Sequence, residues 1–277
     1  IIGIVVSVIL ISFILTLIYS FQTTMIEDVK SRIGNYHIRI DQTTTHIAMK
    51  FNQMQEKIEN TAISQIIGAA DYETQLNNKQ GIIIEGYDEI ALYNRDINLI
   101  EGRMPQNEKE ILISNYLINN MKKPVKIGDQ LTLDVQKVKL TISNDGMEEF
   151  LNPDGIDKIT YTVTGIIKQT IKEANTSNAY IAITKLEQIT EVSPCEVTIL
   201  LKNPKEESTF YHELMNSSIK NHILENNELL LWQGATNGIN EKSQLELIGV
   251  ISILIIVAIT IILIRNSFQI SISERMK

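Results

Sequence analysis

Ile1–Tyr19, IIGIVVSVILISFILTLIY, carries no charge, and only Gly3, Ser7, Ser12 and Thr16 interrupt its apolar side chains. Its length clears the roughly 18 apolar residues that a helix needs to cross a bilayer core. The hydroxyls can bond back to the helix backbone, so they cost little there. Tyr19 and Phe21 follow where an interfacial aromatic belt would lie. A second uncharged run, Leu247–Ile264 (LIGVISILIIVAITIILI), is bracketed by Glu246 and Arg265. A signal peptide would show a basic start, a small-residue cleavage site and an apolar core of about 7–15 residues. A buried core helix of this length would show a polar face. Both runs read as membrane spans.

The flanks orient them. Arg265, Arg275 and Lys277 follow the second run against one acid, Glu274, and a short basic flank belongs on the cytoplasmic side. Two spans return the chain to the side where it began, so residues 20–246 are expected outside. That segment is too long for its own charge to set topology. The chain starts at Ile1 without an initiator Met and stops at Lys277 soon after an apolar run. It reads as a segment of a longer, multi-pass protein of a bacterial cell membrane.

The 277 residues carry 33 acids against 25 Lys and Arg, a net charge of −8. Nucleic-acid binding needs clustered basic residues, and adhesion to anionic lipid needs a basic patch; neither is present. One cysteine, Cys195, excludes an internal disulfide and a multi-thiolate zinc site. An outer domain without disulfides suits a bacterium.

Residues 22–33 read as a helix continuing out of the first span. Tyr36–Ile40 alternates as a strand does. Thr43–Ile67 is expected to be helical, because Ile47, Phe51, Met54, Ile58 and Ile63 recur mainly at spacings of three and four. Gly81–Glu85 reads as a buried strand, Ile111–Ser114 as another, and Asn115–Met121 as a short helix. Lys126–Val138, Lys158–Lys168, Ala179–Thr184 and Glu196–Lys202 read as strands. Asn144-Asp145-Gly146 and Asn152-Pro153-Asp154-Gly155 are turn sequences. Lys205–Asn221 is expected to be an amphipathic helix burying Phe210, Leu214 and Ile219, and Glu228–Trp232 a last strand. The pattern is α+β, with a β-rich insertion between two halves.

No catalytic, cofactor or metal residue emerges. The histidines are His37, His46, His212 and His222. His212-Glu213 opens like a zinc protease motif, but Asn216 stands where a second histidine should. Asp145, Glu148, Glu149, Asp154 and Asp157 do not fit a calcium-loop spacing and read as a solvated acidic loop. There is no phosphate-binding glycine loop and no Gly-x-Ser-x-Gly elbow. Cys195 reads as a packed small residue, and Trp232 as core or interface.

One string is more telling: Gly102-Arg103-Met104-Pro105, Asn107-Glu108, then Glu110-Ile111-Leu112-Ile113-Ser114. Gly128-Asp129 and the strand around Gly165 follow. In this order, between two spans, the chain resembles the FtsX/MacB permeases and their periplasmic core domain. Gly102, Arg103, Pro105, Glu110, Gly128, Asp129 and Gly165 carry the resemblance. Glu274 and Arg275 would begin the cytoplasmic coupling segment.

The resemblance implies a division into a first span (1–24), an outer core domain (25–242), a second span (243–265) and a cytoplasmic start (266–277). Within the core, 25–90 and 186–242 would be porter-like halves and 91–185 the β-rich insertion. It also implies a non-enzymatic permease in membrane lipid, working with a second permease copy or paralogue. A separate cytoplasmic ABC ATPase would bind the ATP and drive the outer domain, for efflux of antibiotic, peptide or lipoprotein cargo. A two-span receptor ectodomain of the sensor-kinase or chemoreceptor type would share the topology. A tethered hydrolase is disfavoured, because no catalytic set converges.

Overall fold

A computed structural model describes residues 2–43, 47–48, 51, 54, 56–75, 81–143, 146–176, 179–188, 195–216, 223–235, 254–266, 268–269 and 272. Side chains at 2–4, 6–7, 10–11, 42, 138–143 and 146–154 are not among those described. His46, His222, Asn144-Asp145, Glu274 and Arg275 lie outside the described residues. The chain forms two compact units, Val29–Leu229 and Ile1–Asp28 with Leu230–Lys277.

Among the described residues, the larger unit is a mixed α+β fold on a 10-stranded sheet. Its strands are β1 (Ile38–Thr43), β2 (Ile58–Asp71), β3 (Gly81–Tyr87), β4 (Leu99–Gly102), β5 (Glu110–Ser114), β6 (Gln130–Ser143), β7 (Gly146–Ile167), β8 (Ala179–Lys185), β9 (Cys195–Leu201) and β10 (Ile223–Glu225). The order is β10-β1-β9-β2-β3-β8-β5-β7-β4, with β6 pairing both β2 and β7. That double pairing closes β2, β3, β8, β5, β7 and β6 into a ring.

Side chains alternate across a strand, so one face of each strand fills the ring. Ile82 and Ile84, Ile111 and Ile113, and Tyr180 and Ala182 belong to one buried cluster. Gly68 makes the closure possible. A Cβ there would stand 2.5 Å from the Gln136 carbonyl oxygen and 2.6 Å from Val135 Cγ1. A second core lies where β1, β9 and the start of β2 meet helix α5 (Glu207–Met215), through Ile38, Val197, Ile199, Phe210 and Leu214. Further short helices are α2 (Glu89–Asn94), α3 (Asn115–Asn120), α4 (Ile171–Asn175) and α6 (Asn227–Trp232).

Several expectations are corrected. Thr43–Ile67 is not one helix: 47–48 and 51 are helical, but Ile58 onward is strand β2. Ile63 joins one core while its neighbour Ala62 joins another. Burial on both faces hides the two-residue period, and the leftover isoleucine spacing mimics a helix. Glu228–Trp232 lies in helix α6, not a strand; Asn226 Oδ1 accepts from Leu229 N at 3.2 Å, the bond of an N-cap. Asn152–Gly155 lies inside β7 rather than ending it. Gln136 pairs with Ile156 and Val138 with Leu151, so these turn-type residues form a bulge in the ladder. The acids Glu148, Glu149, Asp154 and Asp157 consequently sit on a strand, not a loop. Helix α5 ends at Met215, and residues 217–221 of the expected helix, Ile219 among them, lie outside the described residues.

In the smaller unit, the described part of Ile1–Asp28 is the body of helix α1 (Ile2–Arg32), 31 residues without a break. Thr16, Thr23 and Thr24 bond back to carbonyls one turn earlier, at 2.8, 3.0 and 2.8 Å. Phe21 meets Trp232 edge-on at 5.7 Å, and Gln22 Nε2 donates to the Trp232 carbonyl at 2.7 Å. Residues 254–266 are helical. Among the described residues, no helix is long and apolar enough to cross a membrane.

Candidate functional site

The residues of the Gly-Arg-x-Pro string and its companions meet at one corner. Gly102 ends β4 at φ +87° and pairs with Gly165 of β7. A Cβ on Gly102 would lie 2.3 Å from the Thr164 carbonyl oxygen, and one on Gly165 would lie 2.7 Å from that of Arg103. Neither position can carry a side chain. Arg103 then forks onto Glu110, with both N···O distances at 2.7 Å. Glu110 also accepts from Gln106 N at 2.8 Å, which closes the loop over buried Pro105. The Arg103 guanidinium holds the Glu110 carboxyl down at about 2. Across the corner, Gly128 N donates to Val163 O at 2.8 Å, and Asp129 Oδ2 accepts from Lys126 N at 2.8 Å. This constellation anchors a strand register.

Chemistry of another kind lies in a pocket of about 310 Å³ in the same unit. Three cations, Arg39, Arg95 and Lys172, and three acids, Asp41, Asp96 and Glu196, line it. Glu196 is the hub. Arg95 Nη1 lies against its Oε1, Lys172 Nζ lies 3.3 Å from its Oε2, and Arg39 Nε lies 3.9 Å away. Arg95 also donates to Ser64 Oγ at 2.9 Å, and its guanidinium lies 5.4 Å from the centroid of the Tyr87 ring. Lys172 reaches a second acid, buried Glu85, at 2.6 Å, and Tyr87 OH donates to that same carboxylate at 3.1 Å. Arg39 and Asp41, two apart on β1 and so on one face, pair at 3.0 Å.

Burial and charge compete here, and charge wins at Glu196 and Lys172. Burial alone would raise the Glu196 carboxyl; Arg95, Lys172 and Arg39 pull it down to about 2. Burial works against the Lys172 ammonium, and Glu85 and Glu196 outweigh it, raising its affinity for the proton. Asp41 and Asp96 go the other way, pushed up mainly by burial. Asp96 makes no ion pair among the described residues and accepts only backbone bonds, one from Ile171 N at 3.3 Å. A cluster of perturbed charges lining a cavity makes this pocket a candidate site.

The pocket adjoins the end of α1. Ile33 and Tyr36 line it, and Gly34 forms a β-bridge with Arg95. Asn226 Nδ2 donates to the carbonyls of Gly34 (3.3 Å) and Tyr36 (3.0 Å), and Arg32 pairs with Glu228. The chain entering this unit and the chain leaving it are thus tied in one knot.

A family model, the MacB-like periplasmic core domain, matches residues 1–214. The chain belongs to the MacB-like periplasmic core domain family. Solved structures similar to this MacB-like chain include the extracellular domain of the noncanonic ABC-type transporter YknZ from Gram-positive bacteria. It is 7% identical, with 69% of this chain and 99% of that one covered and a TM-score of 0.40. Another is the periplasmic region of MacB from Actinobacillus actinomycetemcomitans, 10% identical, with 78% and 100% covered and a TM-score of 0.41. No curated protein matches.

Of the other residues singled out in this MacB-like chain, Cys195 is buried, with Sγ 3.2 Å from the Thr43 carbonyl. Glu213 is held by Lys57 at 2.7 Å. Sequence reading missed the pocket. One signal was available: Glu85 interrupts the otherwise apolar strand GIIIEGY, and an acid in a buried strand needs a cationic partner.

Proposed function

We propose that this chain is part of a permease subunit of an ABC transporter of the FtsX/MacB type. The observation that carries this is the family match over residues 1–214, which takes in the first apolar run and most of the core domain. In this reading the runs Ile1–Tyr19 and Leu247–Ile264 cross the cell membrane, on the strength of their length and lack of charge. Exposed apolar side chains on α1, such as Val8, Phe13, Leu15 and Leu17, suit contact with lipid. The core domain lies outside.

A separate cytoplasmic ATPase binds and hydrolyses ATP, and this chain performs no chemistry of its own. Closure of that ATPase moves the spans. The knot of Arg32, Gly34, Tyr36, Asn226 and Glu228 receives the movement at one place, because both connections to the domain pass through it. A second permease copy or paralogue completes the assembly, and the domain's change of shape drives export of peptide, antibiotic or lipoprotein cargo.

Mild cross-linking of the chain in its native membrane, followed by purification, tests the reading. A Walker-type ABC ATPase should co-purify as the main cross-linked partner. Recovery of a histidine kinase or a chemotaxis adaptor in its place would overturn the transporter and favour a receptor.

A further inference from the structure

We propose that the pocket between β1, Arg95-Asp96, α4 and Glu196 is a binding site for a small zwitterion of the α-amino-acid type. The charge balance of the walls argues this first. Three cations and three acids face the cavity, so a ligand of one net sign gains from half of the wall and is repelled by the other half. A ligand carrying both signs gains from each.

The state of the individual groups then assigns the ends. Asp96 is the acid with no ion-pair partner among the described residues, and it sits against the Ile171 backbone at 3.3 Å. A ligand ammonium supplies the charge that Asp96 lacks. Lys172, the next residue, has three N–H donors, and two carboxylates occupy it, Glu85 at 2.6 Å and Glu196 at 3.3 Å. Its side chain remains 42% exposed. A ligand carboxylate takes the remaining donor, with the partly exposed Arg39 beside it. Ile33, Tyr36 and Ile171 give an apolar side chain something to lie on. A volume of about 310 Å³ is at the small end for ligand sites and suits an amino acid or a very short peptide.

The site goes beyond the permease reading, since it needs no ATPase. It bears on that reading because Ile33 and Tyr36, the first residues after α1, are part of its wall. An occupied pocket fixes the corner through which α1 acts.

Calorimetric titration of the full chain in lipid nanodiscs tests the proposal with three probes. L-leucine carries both charges, 3-methylbutan-1-amine only the ammonium, and 4-methylpentanoate only the carboxylate. L-leucine should bind saturably and at least about tenfold more tightly than either analogue, the worth of one charge contact. Asp96→Asn should remove about that factor from L-leucine binding and leave 4-methylpentanoate unchanged. Absence of saturable L-leucine binding to the wild type, or equal affinity for the three probes, overturns the proposal. If Asp96→Asn does not fold, the comparison of the three probes on the wild type decides alone.

Discussion

Arg95 and Glu196 lie 101 residues apart in sequence and form an ion pair in which their side chains are 5% and 14% exposed. The pair joins the loop after α2 to strand β9, and the same Arg95 bridges to Gly34 beyond α1. Its removal should be felt through the whole unit. Glu196→Gln leaves Arg95 with a buried, uncompensated charge, and breaking such a pair costs about 3 kcal/mol. The double variant Arg95→Met with Glu196→Met should be less destabilised than the sum of the two single changes. Thermal melts of the wild type, Arg95→Met, Glu196→Met and the double variant check this; strict additivity would mean that the contact is not formed.

The same carboxylate predicts an acid limb. Its folded value of about 2 lies below the ordinary 4.5. Its contribution is complete above pH 4.5 and is lost as pH falls through about 2. The Glu196→Gln melting temperature should therefore fall less steeply than the wild type's between these limits. A parallel pH profile for the two proteins would contradict it.

Glu207 behaves in the opposite sense. It is 3% exposed at the start of α5, and burial, with Glu225 beside it, pushes its carboxyl up. A raised carboxyl costs nothing below the ordinary 4.5 and destabilises increasingly as pH rises from there to the folded value of about 8. Glu207→Gln should melt higher than the wild type at pH 8 and alike at pH 4. A variant less stable than the wild type at pH 8 would show that the carboxylate has a partner instead.

Gly102 and Gly128 both have positive φ, +87° and +92°, but their surroundings differ. A Cβ at Gly102 meets the Thr164 carbonyl oxygen at 2.3 Å, while one at Gly128 meets nothing within 4 Å. Gly128→Ala should cost only the conformational penalty of about 1–2 kcal/mol. Gly102→Ala should cost clearly more, because β4 must move off β7. Comparison of the two melting temperatures decides it.

How far the sequence reveals this molecule depends on how local each signal is. The strands at Gly81–Glu85, Ile111–Ser114 and Ala179–Thr184 were legible from short apolar runs and flanking turn residues, and lie inside β3, β5 and β8. Strand β2 was not, because Ala62 and Ile63 are buried in different cores and leave no polar face to read. The Gly-Arg-x-Pro string was visible because its geometry is made within a few residues, Arg103 to Glu110. The pocket was missed for the reverse reason. Arg39, Arg95, Lys172 and Glu196 are ordinary surface charges by sequence, and only the pairing of β1 with β9 and the turns after α2 and before α4 bring them to one cavity.

Everything in the transporter account requires the core domain to stand outside a membrane that the two apolar runs cross. The most direct measurement is labelling of variants carrying one added cysteine, in intact cells, with a membrane-impermeant maleimide. The native Cys195 is buried and gives little background. Tyr93→Cys, at a position 72% exposed in the core domain, should label in intact cells, whereas Asn266→Cys should label only after permeabilisation. Labelling of Asn266→Cys from outside, or protection of Tyr93→Cys until the membrane is opened, would contradict the account.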